Sequence, residues 1–238
     1  YTLWHTLSLH DALPISFDLE ISVDETETPT TPAAHAILVS ELRAKGIRFT
    51  AIAPRFVGRF EKAVDYRGNP QQLDEHIQIH ADIAATLGPY KLSLHSGSDK
   101  FLVYPILARY ARSLIHVKTA GTSYLEALRV VARHDPDLFR SIAKLSNRAF
   151  EHAQATYHLT TDFDRVPDPD NVPDAELESK FLDSPESDDA RQVMHVAYGD
   201  ILTHTEFGPR MVDLLSQHED EHAECLADHF ERHLRGLV

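Results

Sequence analysis

The strongest constraint on this chain is an alternation of two periods. Short runs that interleave apolar and polar residues, FDLEISV (17–23), IRFTAIA (47–53), YKLSLHS (90–96), LIHVKTA (114–120), ATYHLTT (155–161) and RQVMHVAY (191–198), read as strands. Between them lie stretches such as HAILVSELRAKG and QLDEHIQIHADIAATLG, whose apolar residues recur every three or four positions, as on a helix. Strand alternating with helix means βα units, and consecutive βα units build a parallel sheet. Gly46 and Gly88 follow two of the helical stretches, where a left-handed cap is expected.

Two observations select among parallel-sheet folds. No Gly-x-Gly-x-x-Gly or Walker-type loop follows any strand, which argues against a nucleotide-binding Rossmann sheet. Lys91, Ser93 and His95 share one face of YKLSLHS, opposite Leu92 and Leu94. A barrel lumen accommodates such a polar face, whereas a sheet buried on both sides reads as continuously apolar. The fold class expected is therefore α/β, a (β/α)8 TIM-type barrel, truncated at its N-terminus because about six βα units are visible where eight close the ring. Residues 1–16 have no basic region or cleavage site and are set aside as a non-native or disordered leader, leaving 17–238 as the C-terminal part of one barrel domain. The acidic, proline-dotted stretch 162–189 reads as an insertion loop, either part of an active-site rim or solvated filler.

Charge and composition then narrow the partners. Lys and Arg total 23 against 37 Asp and Glu, a net charge of −14, and no basic run offsets it. Nucleic acid and anionic membrane surfaces are thus not expected partners, and the apolar stretches fall short of the ~18 residues of a membrane span. A single cysteine, Cys225, excludes a disulfide framework and fits a reducing, cytoplasmic compartment. Sixteen histidines without cysteine partners suit a metal site of imidazoles and carboxylates.

In a barrel the chemistry sits where strands end. The candidates there are Asp24 and Glu25, Arg55, the run His95, Ser96, Ser98, Asp99 and Lys100, then Lys118 and Thr119, and finally His195. Two histidines and a carboxylate from different strand ends would make an N/O site for zinc, manganese or a related ion. Asp24 and Glu25 could equally cap the helix that follows, and Ser123-Tyr-Leu-Glu126 reads as a capping box as readily as it offers an acid/base. His218-Glu-Asp-Glu-His222 matches the metalloprotease pattern literally, but its strongly charged surroundings read as a solvated outer helix.

Taken together, VDETETPTTP, APRFVGRFEKAVDY, YKLSLHSGSDKFLVYP, HVKTAGTSYLEALRVVARHDPDLFR and RQVMHVAYG resemble the tagaturonate/fructuronate epimerase family, metal-dependent barrel enzymes that invert C4 of a 2-keto-hexuronate. The similarity covers most of 17–238 and only the C-terminal part of such enzymes. The resemblance implies a divalent cation (zinc, manganese, nickel or similar) on Glu25, His95 and His195, with Asp24 as proton acceptor and Glu126 as donor. It implies that Arg55, Lys100 and Lys118 hold the anionic hexuronate, with Ser96, Ser98, Asp99 and Thr119 in the same substrate-binding set. The alternatives are a Schiff-base aldolase-type barrel with Lys118 as nucleophile, or a sugar-acid-binding barrel without catalysis.

Overall fold

The computed structural model describes residues 17–119, 122–153, 160–183 and 185–237. The leader 1–16 and most of the fifth expected strand lie outside them. Four strands, β1 (Glu20–Ser22), β2 (Ala51–Ala53), β3 (Lys91–Leu94) and β4 (Ile115–Val117), pair in parallel and in chain order. The register sets Ile21 beside Ile52, Ile52 beside Leu92 and Leu92 beside Ile115, so these apolar residues share one face. The neighbouring positions, Ser22 with Ala53 and Ser93 with His116, belong to the other face.

Helices α1 (Pro32–Ala44), α2 (Pro70–Leu87) and α3 (Val103–Ala111) form the crossovers. The start of α1 follows from Thr31, whose hydroxyl accepts from the Ala34 N–H at 3.1 Å, with Pro32 at the first helical position. Asn69 does the same before Pro70, accepting from the N–H groups of Gln71 and Gln72. Gly46 ends the first helix with φ 70°, as expected of a left-handed cap. Gly88 differs: its φ is −100°, and glycine is required because a Cβ would lie 2.0 Å from the Ala84 carbonyl. These helices bury the apolar face of the sheet, where Ile52, Leu92 and Leu94 pack with Leu73, Ile77 and Leu107. Each such side chain contributes about 1.5–3 kcal/mol.

Beyond β4 the described chain is helical: α4 (Ser123–His134), α5 (Pro136–Ala153), α6 (Leu177–Phe181), α7 (Asp188–Val196), α8 (Tyr198–Thr203), α9 (Phe207–Gln217) and α10 (Glu219–Arg235). Leu128, Val131, Phe139, Ile142, Phe181 and Met194 centre a second core. The sixth expected strand, 191–198, is thus corrected to a helix. Residues 190–195 of α7 are all buried, so no polar stripe reveals the helical period. Arg191 donates to the carbonyls of Ala63 and Leu182 and to the Asp99 carboxylate, which satisfies a guanidinium inside the molecule.

Among the described residues the chain is an α/β fold of four parallel strands with a helical second half, where six βα units were expected. The stretch 162–189 is largely exposed but anchored: Val172, Leu177, Phe181 and Leu182 enter the second core, and Arg140 donates to the carbonyls of Pro169 and Val172. No described helix is long and apolar enough to cross a membrane.

Candidate functional site

The polar face of the sheet carries the site, and it follows from period-two alternation along three strands. Glu20 and Ser22 of β1 lead to Asp24, Ser93 of β3 leads to His95, and His116 of β4 leads to Lys118. Glu20 bonds both imidazoles, His95 Nε2 through one oxygen and His116 Nδ1 through the other at 2.6 Å. On its opposite nitrogen, Nδ1, His95 meets Asp24 at 3.0 Å and the Ser22 hydroxyl at 3.3 Å. Ser22 in turn donates to Asp24. Ser93 lies 3.4 Å from His116 Nδ1. This chain opens into a cavity of about 430 Å³ lined by Ser22, Asp24, Glu25, Thr26, His95 and Lys118.

The charge states follow from these contacts. The hydrogen bond to Asp24 raises the His95 pKa; burial opposes this, and Glu20 adds to it. Burial would raise Glu20, but hydrogen bonds from Ser93, His95 and His116 outweigh it and hold the carboxyl below its ordinary value. Asp24 is lowered in the same way, burial being outweighed by His95 and Ser22. His95 thus lies between two carboxylates that favour its protonated form, a setting of negative charge that a cation would also favour. Imidazole and carboxylate donors suit zinc, manganese or nickel. Glu20, His95 and His116 are donors of that chemical kind, each ring turning a nitrogen to one oxygen of the same carboxylate.

The expected site residues separate into two groups. Asp24, Glu25, His95 and Lys118 come together around the cavity. Ser96, Ser98, Asp99 and Lys100 instead build the loop behind it. Lys100 is fully buried, and its ammonium donates to the carbonyls of Glu61, Val64 and Ser98, leaving no proton for a substrate. Its burial lowers its pKa to about 8. Asp99 is tied to Arg191 at 3.1 Å, and its N–H donates to His233 Nε2. Ser96, at φ 48°, accepts from the Lys62 ammonium at 3.0 Å. Gly97 is obligatory, because a Cβ would sit 2.7 Å from Val117 Cγ1 and 2.8 Å from the Leu94 carbonyl.

Four more candidates stand elsewhere. Arg55 extends β2, its backbone paired with Thr30, and Thr119 follows Lys118 half-buried. His195 is on α7 and not at a strand end, buried with Nδ1 unpartnered among the described residues. Burial, and then the charge of Lys62, depresses its pKa to about 4, so it is a neutral ring. Glu126 lies inside α4, bonded to Arg129 at 2.9 Å and 3.5 Å from His229 Nδ1. Burial opposes ionisation there, but His229 and Arg129 outweigh it and hold the carboxyl at about 2, which leaves it no proton to donate at neutral pH. Nor does it close a capping box, since Thr122 takes the cap position.

Glu20, His116 and Lys62 were not among the expected residues. Their signal was available: Glu20 stands two and four positions before Ser22 and Asp24, and His116 two before Lys118, on the same strand faces.

The UxaE family model, described as tagaturonate epimerase, matches residues 4–237 and so begins inside the segment set aside as a leader. A tagaturonate/fructuronate epimerase of Thermotoga maritima is 45% identical over 226 residues, which are 95% of this chain and 46% of that protein. The native crystal structure of the fructuronate-tagaturonate epimerase UxaE from Cohnella laeviribosi has a TM-score of 0.89 at 37% identity, over 98% of this chain and 49% of that one. A glycerol complex of the same enzyme gives 0.89 as well. The chain thus spans about half the length of the relatives it matches. A match over nearly its whole length has one consequence: the chain belongs to the tagaturonate epimerase family.

Proposed function

We propose that this chain is the C-terminal part of a metal-dependent epimerase that interconverts D-tagaturonate and D-fructuronate at C4. The single observation that carries the reading is the Glu20–His95–Asp24 chain, opening into a cavity with Lys118 on its wall. The four-stranded sheet is then half of a (β/α)8 barrel. Its helix-covered back and polar front suit an outer wall and a lumen, and the rest of a longer chain supplies the remaining strands.

The chemistry sets what the residues must do. C4 of a 2-keto-hexuronate is β to the ketone and β to the carboxylate, so its hydrogen is not acidic and enolisation cannot invert it. Asp24 takes the proton of the C4 hydroxyl. The C3–C4 bond then breaks, C4 becomes an aldehyde, and the bond electrons move onto the C2 oxygen as an enediolate. Lys118 holds the anionic end of the substrate while the aldehyde turns its other face. Re-addition forms the C3–C4 bond again, and Asp24 returns the proton to the new C4 hydroxyl. A divalent cation, held by His95 with Glu20 and His116 and completed by Glu25 or His195, would supply charge stabilisation for the enediolate oxygens.

The test uses the full-length enzyme. Asp24→Asn should keep its metal and lose turnover by about 10²–10⁴, the range of general-base catalysis. His95→Ala should lose both metal and turnover. A C4-deuterated substrate should keep its label through a single turnover, because cleavage at C3–C4 never exchanges that hydrogen. Release of the label to water would overturn the cleavage route. A borohydride-trapped adduct on Lys118, with activity indifferent to EDTA, would replace the metal reading by Schiff-base chemistry.

A further inference from the structure

The motif His218-Glu-Asp-Glu-His222 takes on a different meaning in the folded chain. His218 lies between α9 and α10 with φ −122° and ψ 39°, outside helical geometry, and its ring stacks on His134 at a centroid distance of 3.5 Å and an interplanar angle of 16°. His134 Nε2 meets Glu221 Oε2 at 2.6 Å. One donor atom from each of His134, His218 and Glu221 lies within 4.8 Å of the others. The place of the motif's second histidine, His222, is thus taken by a residue 88 positions before it in the chain.

We propose that His134, His218 and Glu221 form a divalent-metal site of the zinc class, separate from the cavity at the strand ends and independent of the function proposed above. Two imidazoles and one carboxylate are donors zinc accepts, and a fourth position is open. His134 and His218 line a cavity of about 490 Å³ together with Glu206 and Asp213. The surroundings orient the ligands as metal sites require. Arg133 donates to Glu221 Oε1 at 2.9 Å and leaves Oε2 turned to His134. Both nearby guanidiniums have carboxylates of their own, Arg133 on Glu178 and Arg210 on Asp135 at 2.6 Å, so the cationic charge close to the site is neutralised.

Hydrogen bonding alone explains His134 with Glu221, but not His218. Among the described residues its ring stacks and makes no hydrogen bond. A cation would take one nitrogen of each ring, which requires the two rings to turn out of their stack until both lone pairs point at it. Because α4 starts just beyond β4 and His134 is its last residue, this site lies about 18 Å down the helix from the strand ends. A metal there would clamp the end of α4 to the corner between α9 and α10.

Zinc itself is the probe, added to the metal-free chain and followed by equilibrium dialysis and thermal melting, with cobalt absorption reporting the ligand field. The parent and His95→Gln should both bind an equivalent that raises the melting temperature. His134→Gln and His218→Gln should each weaken that equivalent at least about 10–100-fold, the loss typical even of a residue behind the ligands. Both side chains lie at the surface end of a helix, so melting of the metal-free variants checks their fold. The cobalt bands of the unmodified chain are the second measurement: a spectrum of water ligands alone would overturn the site, as would unchanged zinc affinity in His218→Gln. Loss of all zinc in His95→Gln would place the metal in the other cavity and overturn the proposal too.

Discussion

A lysine with no access to water is a costly residue, and Lys100 is kept by the three carbonyls that receive its protons. Replacing it with methionine keeps most of the volume and strands those carbonyls. Each unsatisfied group costs about 1–3 kcal/mol, so Lys100→Met should lower the unfolding free energy by at least about 3 kcal/mol in urea titration. A loss below about 1 kcal/mol would mean that water reaches the pocket. The residue scale is also where sequence reading was least complete. His95, Asp24 and Lys118 were legible because strand ends mark barrel chemistry. Glu20 shares their strand face, but at the start of a strand and not at its end it reads as solvent-facing polarity until its neighbours across the sheet are known. Lys100 shows the converse: its charge suggested substrate, while its burial depends on loop carbonyls that no local pattern announces.

Between α1 and α2 the contact is made by histidines. His80 Nε2–H donates to the Thr30 carbonyl at 3.1 Å, which leaves its Nδ1 to accept from His35 Nδ1–H at 2.7 Å; His35 Nε2 then accepts from Tyr90 at 2.9 Å. One direction of donation satisfies every nitrogen, and only with both rings neutral. Burial depresses His35 to about 4; burial, then the neighbouring histidines His76 and His35, depress His80 to about 3. The unfolded chain therefore binds protons that the folded chain refuses, starting near the ordinary value of about 6.5. The stability this pair contributes is complete above that pH and is lost as pH falls toward the folded values. His195 and His233, also lowered, act in the same sense, and His95, which is raised, acts against them. Melting temperature should fall between pH 7 and pH 5, and His80→Gln should flatten that slope; an equal slope in the variant would remove the pair from the account. Elements with a solvent face, such as α1 and α2, were legible in the sequence through capping residues and period. The body of α7 was not, since its six consecutive buried residues show no period at all.

At the scale of the whole molecule, β1 and β4 are the edges of the described sheet, each with one unpaired side. Such edges template association. The purified chain should therefore elute above its monomer mass, and added recombinant N-terminal half of a family member should shift it to a defined complex; a concentration-independent monomer with a sharp melt would contradict this. The parallel sheet itself was readable from the alternation of periods. The helical second half was not, because its position depends on contacts between residues more than a hundred apart, as between Arg191 and Ala63. Arg191 has a consequence for how the molecule opens. It bridges two separate cores, donating to Asp99 on the sheet side and to the Leu182 carbonyl on the helical side, so it acts as a rivet between two units that could otherwise breathe independently. Amide hydrogen exchange should find one protection level for α1–α3 with the strands and another for α4–α8. With the guanidinium removed in Arg191→Met, the gap between those two levels should widen, the helical half exchanging first.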